Sequence, residues 1–368
     1  MERRKFLKGA AIGGVGAAAT AAAFPTPAIS QGKMEWRMVT SWPKGLPGLG
    51  TGAERLAKRI TDASDGRLTI KVFAAGELVP ALQVWDAVSA GTAEIGHDAA
   101  YYHLGKTVAA PFFCAVPFGM TSFEMNAWIH WGGGQQLWDE VYANYNLKPF
   151  AAGNTGTQMA GWFRKEINSL EDIKGMKFRT AGQGGQVWQK LGMTVVLLPG
   201  GEIFPALQSG AVDAAEWVGP YNDLALGFHQ VAKNYYYPGV QEPGPMLQCT
   251  VNKGIYEKLP NDLKEIVKAA CSAENDYILA EFNARSGPAL QSLIRDHGVQ
   301  LKQFPRDVLE AYGNKSGELM EEILASSDPM VKKVAEAFLA ARKLAMAYTR
   351  ITDQSLTNAR LLPFKYPG

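Results

Sequence analysis

The sequence predicts an α/β fold of two lobes, with a cleft between the lobes and a helical C-terminal region. Three observations carry that expectation. Strand-like runs alternate with amphipathic helices from Met34 onward. One helix–glycine–strand element occurs twice, as "VSAGTAEIGHDAAYYH" from Val88 to His103 and "LQSGAVDAAEWVGPYND" from Leu207 to Asp223, in step when Gly91 is set on Gly210. From Leu259 to Met346 the pattern is amphipathic helix almost throughout.

In chain order, "EWRMVTSW" reads as a strand and "LGTGAERLAKRITDASDG" as a helix with a glycine stop. "LTIKVFAAG" is the next strand. "LVPALQVWDAVSAG" is a helix ending at Gly91, and "TAEIGHDA" a short strand of small residues. Strands alternating with helices predict largely parallel pairing. The theme restarts with "FAAGNTGTQMAGWFR", a strand followed by an extended segment. "SLEDIKGMKFRTAG" is a short helix or turn leading into a strand. The stretch from Gln183 to Trp217 repeats helix, strand, helix, strand. "NYYYPGVQEPGPMLQCTVN" reads as one long strand segment returning across the molecule, and "LTNARLLPFKYPG" has no clear pattern. The first lobe is expected at 31–152 with roughly 241–285, and the second at 153–240 with roughly 286–340. Residues 341–368 form a C-terminal helix and tail, packing on the lobes or on a second chain.

The duplication predicts a binding cleft. In open α/β sheets the ligand sits beyond the carboxyl ends of the strands. Residues 97–103 and 216–222 follow the two repeats, so they should face each other.

Composition narrows the function. Hydrophobic residues make up 47% and charged ones 20% of 368 residues, enough for two sizeable cores. The formal net charge is +2, and Arg3, Arg4, Lys5 and Lys8 near the start account for it, leaving the rest near neutral. That is no electrostatic footprint for nucleic acid. Residues 1–30 read as a targeting segment: a basic start, a weakly apolar Ala/Gly stretch, then Ala28-Ile29-Ser30 for cleavage before Gln31. The twin arginines with Lys5-Phe6-Leu7-Lys8 resemble a twin-arginine (Tat) export signal, so the mature chain is expected in the periplasm. Cys114, Cys249 and Cys271 are an odd number without CxxC spacing, and read as buried thiols.

Motifs of turnover are missing from the sequence. Five scattered histidines make no HExxH or HxH, and there is no GxSxG or SxxK. "AGQGGQVWQKLG" lacks GK[ST], although a helix start there could hold an anion on its free N–H groups. Arg179, at the end of Met176-Lys177-Phe178-Arg179, offers a bidentate fork for a carboxylate, or else pairs on the surface with an acid such as Glu171. Glu216 precedes Trp217 at another strand end, where it could bind metal or a hydroxyl, or close a salt bridge. Tyr101 and Tyr102 could donate hydroxyls to a ligand or simply pack.

"SLEDIKGMKFRTAG" fits the pattern Leu-x-Asp-Leu-Lys-Gly-x-Lys-x-Arg, and "ALQSGAVDAAEWVGP" fits Ala-Leu-x-x-Gly-x-Val-Asp-Gly. On these marks the chain resembles, over its whole mature length, the solute-binding proteins of tripartite ATP-independent periplasmic (TRAP) transporters. The resemblance implies the periplasmic-binding-protein version of the two-lobed fold. "AAEWVGPYND" with "YYYPGVQEPGP" further resembles the branch that binds 2-oxo acids such as pyruvate, or 2-hydroxy acids such as lactate, with a cation. It implies Arg179 as the carboxylate-binding arginine, and Gln158, Glu216, the Trp217 main-chain carbonyl and Glu242 as cation ligands. Asn154, Gln158, Tyr101, Tyr102 and Trp217 would contact the substrate. Val240-Gln241 departs from the large residue that the branch often has before Glu242.

Oxygen-only ligands suit one hard cation, Na⁺ or Ca²⁺. Two glutamates, a substrate carboxylate and Arg179 sum to neutrality with Ca²⁺ and to one net negative charge with Na⁺. The implied partners are a small carboxylate, the membrane permease subunits and a second copy of the chain in a homodimer, and no catalysis is expected. The rival readings are a lactate-type acid bound as its calcium complex, a ligand sensor, and a Tat-exported enzyme.

Overall fold

The computed structural model describes residues 32–366. The expected signal peptide, 1–30, lies outside the described residues. The remainder holds two mixed sheets. The first has five strands: β1 (Met34–Thr40), β2 (Leu68–Phe73), β3 (Ile95–Ala99), β4 (Leu147–Asn154) and, from much later in the chain, β10 (Met246–Asn252). Their spatial order is β2-β1-β3-β10-β4. The second sheet has β5 (Gly161–Phe163), β6 (Lys177–Arg179), β7 (Thr194–Val196), β8 (Ala214–Ala215), β9 (Asn234–Tyr237) and β11 (Gln300–Gln303), in the order β11-β9-β5-β8-β6-β7.

The largely parallel pairing expected from the alternation needs correction. β1 pairs in parallel with β2 and β3, and β6 with β7 and β8. β10 is antiparallel to both β3 and β4, and β5 to both β8 and β9. These two reversed strands are the ones that enter a sheet directly after the chain has crossed from the other. The segment 234–252 is therefore two strands in different sheets, β9 and β10, joined by residues 238–245. A run of Pro and Gly between two apolar stretches is where a strand must end.

The helices are α1 (Gly50–Ala63), α2 (Val84–Ser89), α3 (Ser122–Trp131), α4 (Gly134–Ala143), α5 (Gly182–Lys190), α6 (Gly200–Ser209), α7 (Pro220–Leu226), α8 (Lys253–Glu257), α9 (Asn261–Arg295), α10 (Arg306–Leu324), α11 (Pro329–Thr349) and α12 (Asp353–Arg360). The repeated element is α2–Gly91–β3 and α6–Gly210–β8. Both glycines lie in the left-handed region, with φ of 77° and 76°, where a side chain is disfavoured and a helix end can turn sharply into a strand. The 35 residues of α9 pack on α1 and β4 of the first half and on α7 of the second. The short edge strand β11 interrupts the stretch from Leu259 to Met346 that reads as helix, and the last helix, α12, lies within the expected C-terminal helix and tail. Cys114, Cys249 and Cys271 are free, buried thiols.

Candidate functional site

Two pairs of chain segments build the site. One pair is the carboxyl ends of β6 and β8. β6 closes on Arg179, and the Glu216 N–H donates to the Arg179 carbonyl at 2.9 Å, so the two residues leave the sheet side by side. The other pair is the two crossovers, 155–160 and 238–245, which run together. Gln158 N–H donates to the Glu242 carbonyl (3.1 Å), Thr155 N–H to the Pro245 carbonyl (3.1 Å), and the Gln241 amide to the Met159 carbonyl (2.9 Å). A fifth link, from Met159 N–H to the Val218 carbonyl (3.0 Å), ties the crossovers to the loop after β8. Asp223 holds that loop by accepting from Val218 and Gly219 N–H, the Trp162 indole and the Tyr235 hydroxyl.

Arg179 is buried, not paired on the surface; Glu171 pairs with Lys174. Its Nε donates to the Leu198 carbonyl (3.0 Å) and its Nη1 to the Glu216 carbonyl (2.6 Å), and the guanidinium lies 5.0 Å above the Trp217 ring. Its Nη2 has no hydrogen-bond partner among the described residues. The same holds for Gln158 Oε1, Glu216 Oε1 and both carboxylate oxygens of Glu242. All four side chains are at least 96% buried. A buried polar atom without a partner costs about 1–3 kcal/mol, more if charged, so native folds rarely leave several together. Four orphaned oxygens beside one orphaned guanidinium nitrogen fit a hard cation with an anionic ligand.

The electrostatics agree. Burial pushes Glu242 up to about 8, with Arg179 and the nearby Tyr101 hydroxyl opposing the rise. Burial, and then the charge of Glu242, pushes Glu216 well above the usual carboxylate range. Two carboxylates in this setting resist ionising together unless a cation joins them.

The first half supplies the cover. A turn of 3-10 helix, Ala100–His103, carries Tyr101 and Tyr102, whose rings meet edge-on at 4.9 Å. Burial raises both phenol groups. Beneath them a buried chain of hydrogen bonds fixes the turn: His103 to Asp98 (2.5 Å), Gln248 to Asp98 (2.6 Å) and Tyr142 to Gln248 (2.7 Å). The Trp42 indole donates to His97 Nδ1 (2.8 Å), which leaves His97 Nε2–H for the Ala152 carbonyl (3.0 Å) and makes the ring neutral. A small cavity of about 10 Å³ is lined by Trp42, Leu49, Tyr101, Tyr102, Thr155, Gln158, Trp217, Val218 and Leu247.

Arg179, Gln158, Glu216, Trp217, Glu242, Tyr101 and Tyr102 thus lie together in the fold. Asn154 does not join them. Its amide donates to the Gly244 carbonyl (3.1 Å) and its oxygen accepts from Gly156 N–H (2.8 Å), so it braces the crossovers instead of facing the cavity. Sequence reasoning misses Trp42, Leu49, Thr155 and Leu247, while Val218 falls within the stretch 216–222 expected at the cleft. Only Trp42 carried a signal, standing just beyond the end of β1 where cleft residues belong.

Residues 39–327 match the bacterial extracellular solute-binding protein family 7, DctP. The chain belongs to this family. Among curated DctP-type relatives, a monocarboxylate 2-oxoacid-binding periplasmic protein of Nostoc sp. is 45% identical over 365 residues, covering 97% of this chain and 98% of the relative. Solved structures agree. A TRAP transporter solute-binding protein from Bordetella bronchiseptica is 39% identical with a TM-score of 0.87, covering 89% of this chain and 97% of the other. It is a mixed-occupancy dimer with copurified calcium and picolinate in one site and the other apo. A TRAP periplasmic solute-binding protein from Pseudoalteromonas atlantica, with bound sodium and pyruvate, is 38% identical with a TM-score of 0.86, covering 91% and 100%. This DctP chain is accordingly an extracytoplasmic solute-binding protein. Among its described residues no helix is long and apolar enough to cross a membrane.

Proposed function

We propose that this DctP protein is the periplasmic receptor of a TRAP transporter and captures a small 2-oxo monocarboxylate of pyruvate size for delivery to the membrane permease subunits. The observation that carries this reading is the buried cluster of unpartnered atoms, Gln158 Oε1, Glu216 Oε1, both Glu242 oxygens and Arg179 Nη2. Gln158, Glu216, Glu242 and the Trp217 main-chain carbonyl would hold one hard cation. When bound, that cation neutralises the two carboxylates and offers a Lewis-acid contact to the acid's oxygens. Arg179 orients the ligand carboxylate with the nitrogen it has free, and Trp217 holds the guanidinium flat from below. Tyr101 and Tyr102 cover the site and exclude water. The charge balance favours Ca²⁺ over Na⁺ by one unit.

The relatives' ligands support the acid class and the cation, and the segment at 1–30 supports export to the periplasm by the Tat route. The family's role as a receptor supports binding without turnover. A homodimer is supported by the C-terminal end, where Leu344, Tyr348, Ile351, Leu361 and Tyr366 are all more than 60% exposed.

Tryptophan fluorescence of ligand-stripped, EDTA-dialysed protein during pyruvate titration, with Na⁺ alone and with Ca²⁺ added, tests the reading. Saturable quenching that requires one cation is expected. A response to lactate but not pyruvate would move the assignment to 2-hydroxy acids, and no response to either would overturn it.

A further inference from the structure

One side chain bridges the two halves of the molecule beside the site. Asn222, on α7, is fully buried. Its Oδ1 accepts from the Trp217 indole N–H at 3.2 Å, within the second half. Its Nδ2 donates to the main-chain carbonyl of Pro47 at 2.6 Å, in the loop between β1 and α1 of the first half. The same two segments meet once more, where the Trp42 and Trp217 rings pack edge-to-face at 6.3 Å. Trp217 is also the ring beneath Arg179 and lines the cavity.

The chemistry of a carboxamide makes this arrangement directional. An amide cannot rotate without exchanging its donor and acceptor ends. With Oδ1 committed to the Trp217 indole, Nδ2 is aimed at Pro47, and the first half must be closed for that donor to be met. An indole displaced from its seat beneath Arg179 would release Oδ1 and leave the amide free to turn. The bond to Pro47 therefore forms only when two conditions hold together: the halves are shut, and Trp217 is in its place at the site.

We propose that Asn222 is the positioning residue that couples the state of the binding site to closure of the cleft, a latch that reads Trp217 on one side and grips Pro47 on the other. This rests on the receptor reading above and deepens it. A contact present in the closed form and absent from the open one slows ligand escape and leaves the encounter rate nearly unchanged. One hydrogen bond of this kind corresponds to a change of about three- to tenfold.

The test uses the full mature chain and its Asn222→Ala and Asn222→Asp variants, N222D retaining the acceptor for Trp217 and losing the donor for Pro47. Stopped-flow fluorescence with pyruvate and CaCl₂ is expected to show dissociation about three- to tenfold faster in both variants, with association changed less than about twofold. Equal dissociation rates in all three proteins would overturn the latch. So would a loss confined to the melting temperature, because that is what a merely structural side chain produces. If the wild type itself gives no saturable response to pyruvate or to lactate, the receptor reading fails, and the latch is decided separately by pulsed electron spin resonance. Spin labels on Lys58→Cys and Glu202→Cys, exposed positions on opposite halves, then report the distance between them without added ligand. A shift to longer distances in the Asn222 variants supports the latch, and an unchanged distribution overturns it.

Discussion

Arg179 Nη1 donates to the main-chain oxygen of Glu216 at 2.6 Å, yet stands 3.7 Å from the carboxylate of the same residue. The guanidinium and the carboxyl group are neighbours without forming the short ion pair that a buried Arg and Glu would normally make. Their backbone hydrogen bonds hold them apart, which keeps one guanidinium nitrogen and one carboxylate oxygen for something else. The arrangement has measurable consequences.

Glu216→Gln and Glu242→Gln should each abolish cation-dependent binding, lowering pyruvate affinity by more than about tenfold. In EDTA the same variants should melt higher than the wild type, because each removes a buried carboxylate with at least one oxygen unpartnered; a gain of about 1 kcal/mol corresponds to about 1–2 °C. Calorimetric scans with and without Ca²⁺ separate the two effects. A variant that lost binding and also melted lower in EDTA would show that the carboxylate was structural.

Arg179→Lys keeps the charge and loses the planar fork. The lysine cannot donate to Leu198 and Glu216 carbonyls while also offering a nitrogen to the ligand. Affinity should fall by about ten- to a hundredfold, from the worth of a charge-assisted hydrogen bond. Titration calorimetry against wild type checks it.

The pH dependence has a definite sign. Glu242 and Glu216 hold their protons in the cation-free fold at pH values where the unfolded chain has released them. Below about 4.5 both states are protonated, and the groups contribute nothing. From there to about 8 the folded chain binds more protons, so stability in EDTA should fall as pH rises. Saturating cation should flatten that profile. Binding should also release protons near pH 6.5, seen as a buffer-dependent heat in calorimetry.

Gly182 opens α5 with φ of 60°, and a Cβ there would stand 2.9 Å from the Tyr101 Cβ of the opposite half. Gly182→Ala should therefore impede closure itself. The left-handed backbone costs about 1–2 kcal/mol in either form, while the clash with Tyr101 exists only when the cleft is shut. Faster dissociation, together with a modest fall in melting temperature, is the expected pair of results.

The sequence was legible wherever a local rule had one solution. Gly91 and Gly210 show this best: a glycine ending one helix before a small-residue strand specifies a left-handed turn, and both adopt it. Arg179 and Glu216 were legible because strand ends feed clefts. What stayed hidden depends on long-range assembly. β11 is four mostly exposed residues, three of them polar, whose pairing with β9 is set by the path of α9 before it, not by any alternation of its own. The segment spanning β9 and β10 reads as one strand because two apolar runs flank the break, although its Pro and Gly residues mark where the chain leaves one sheet for the other. Asn154 stands in the right stretch of sequence, but its two hydrogen bonds are to backbone groups, one of them 90 residues away. Leu49 and Leu247 line the cavity through apolar side chains that look like any others in the core.

The two crossovers carry more than chain continuity. Gln158 sits on one and Glu242 on the other, with a backbone hydrogen bond joining them. An ion that gripped both would act on the axle about which the molecule swings, before any acid touched the far wall. Loading would then have an order, ion first and acid second, and the receptor would read its surroundings for metal before it could count the acid at all.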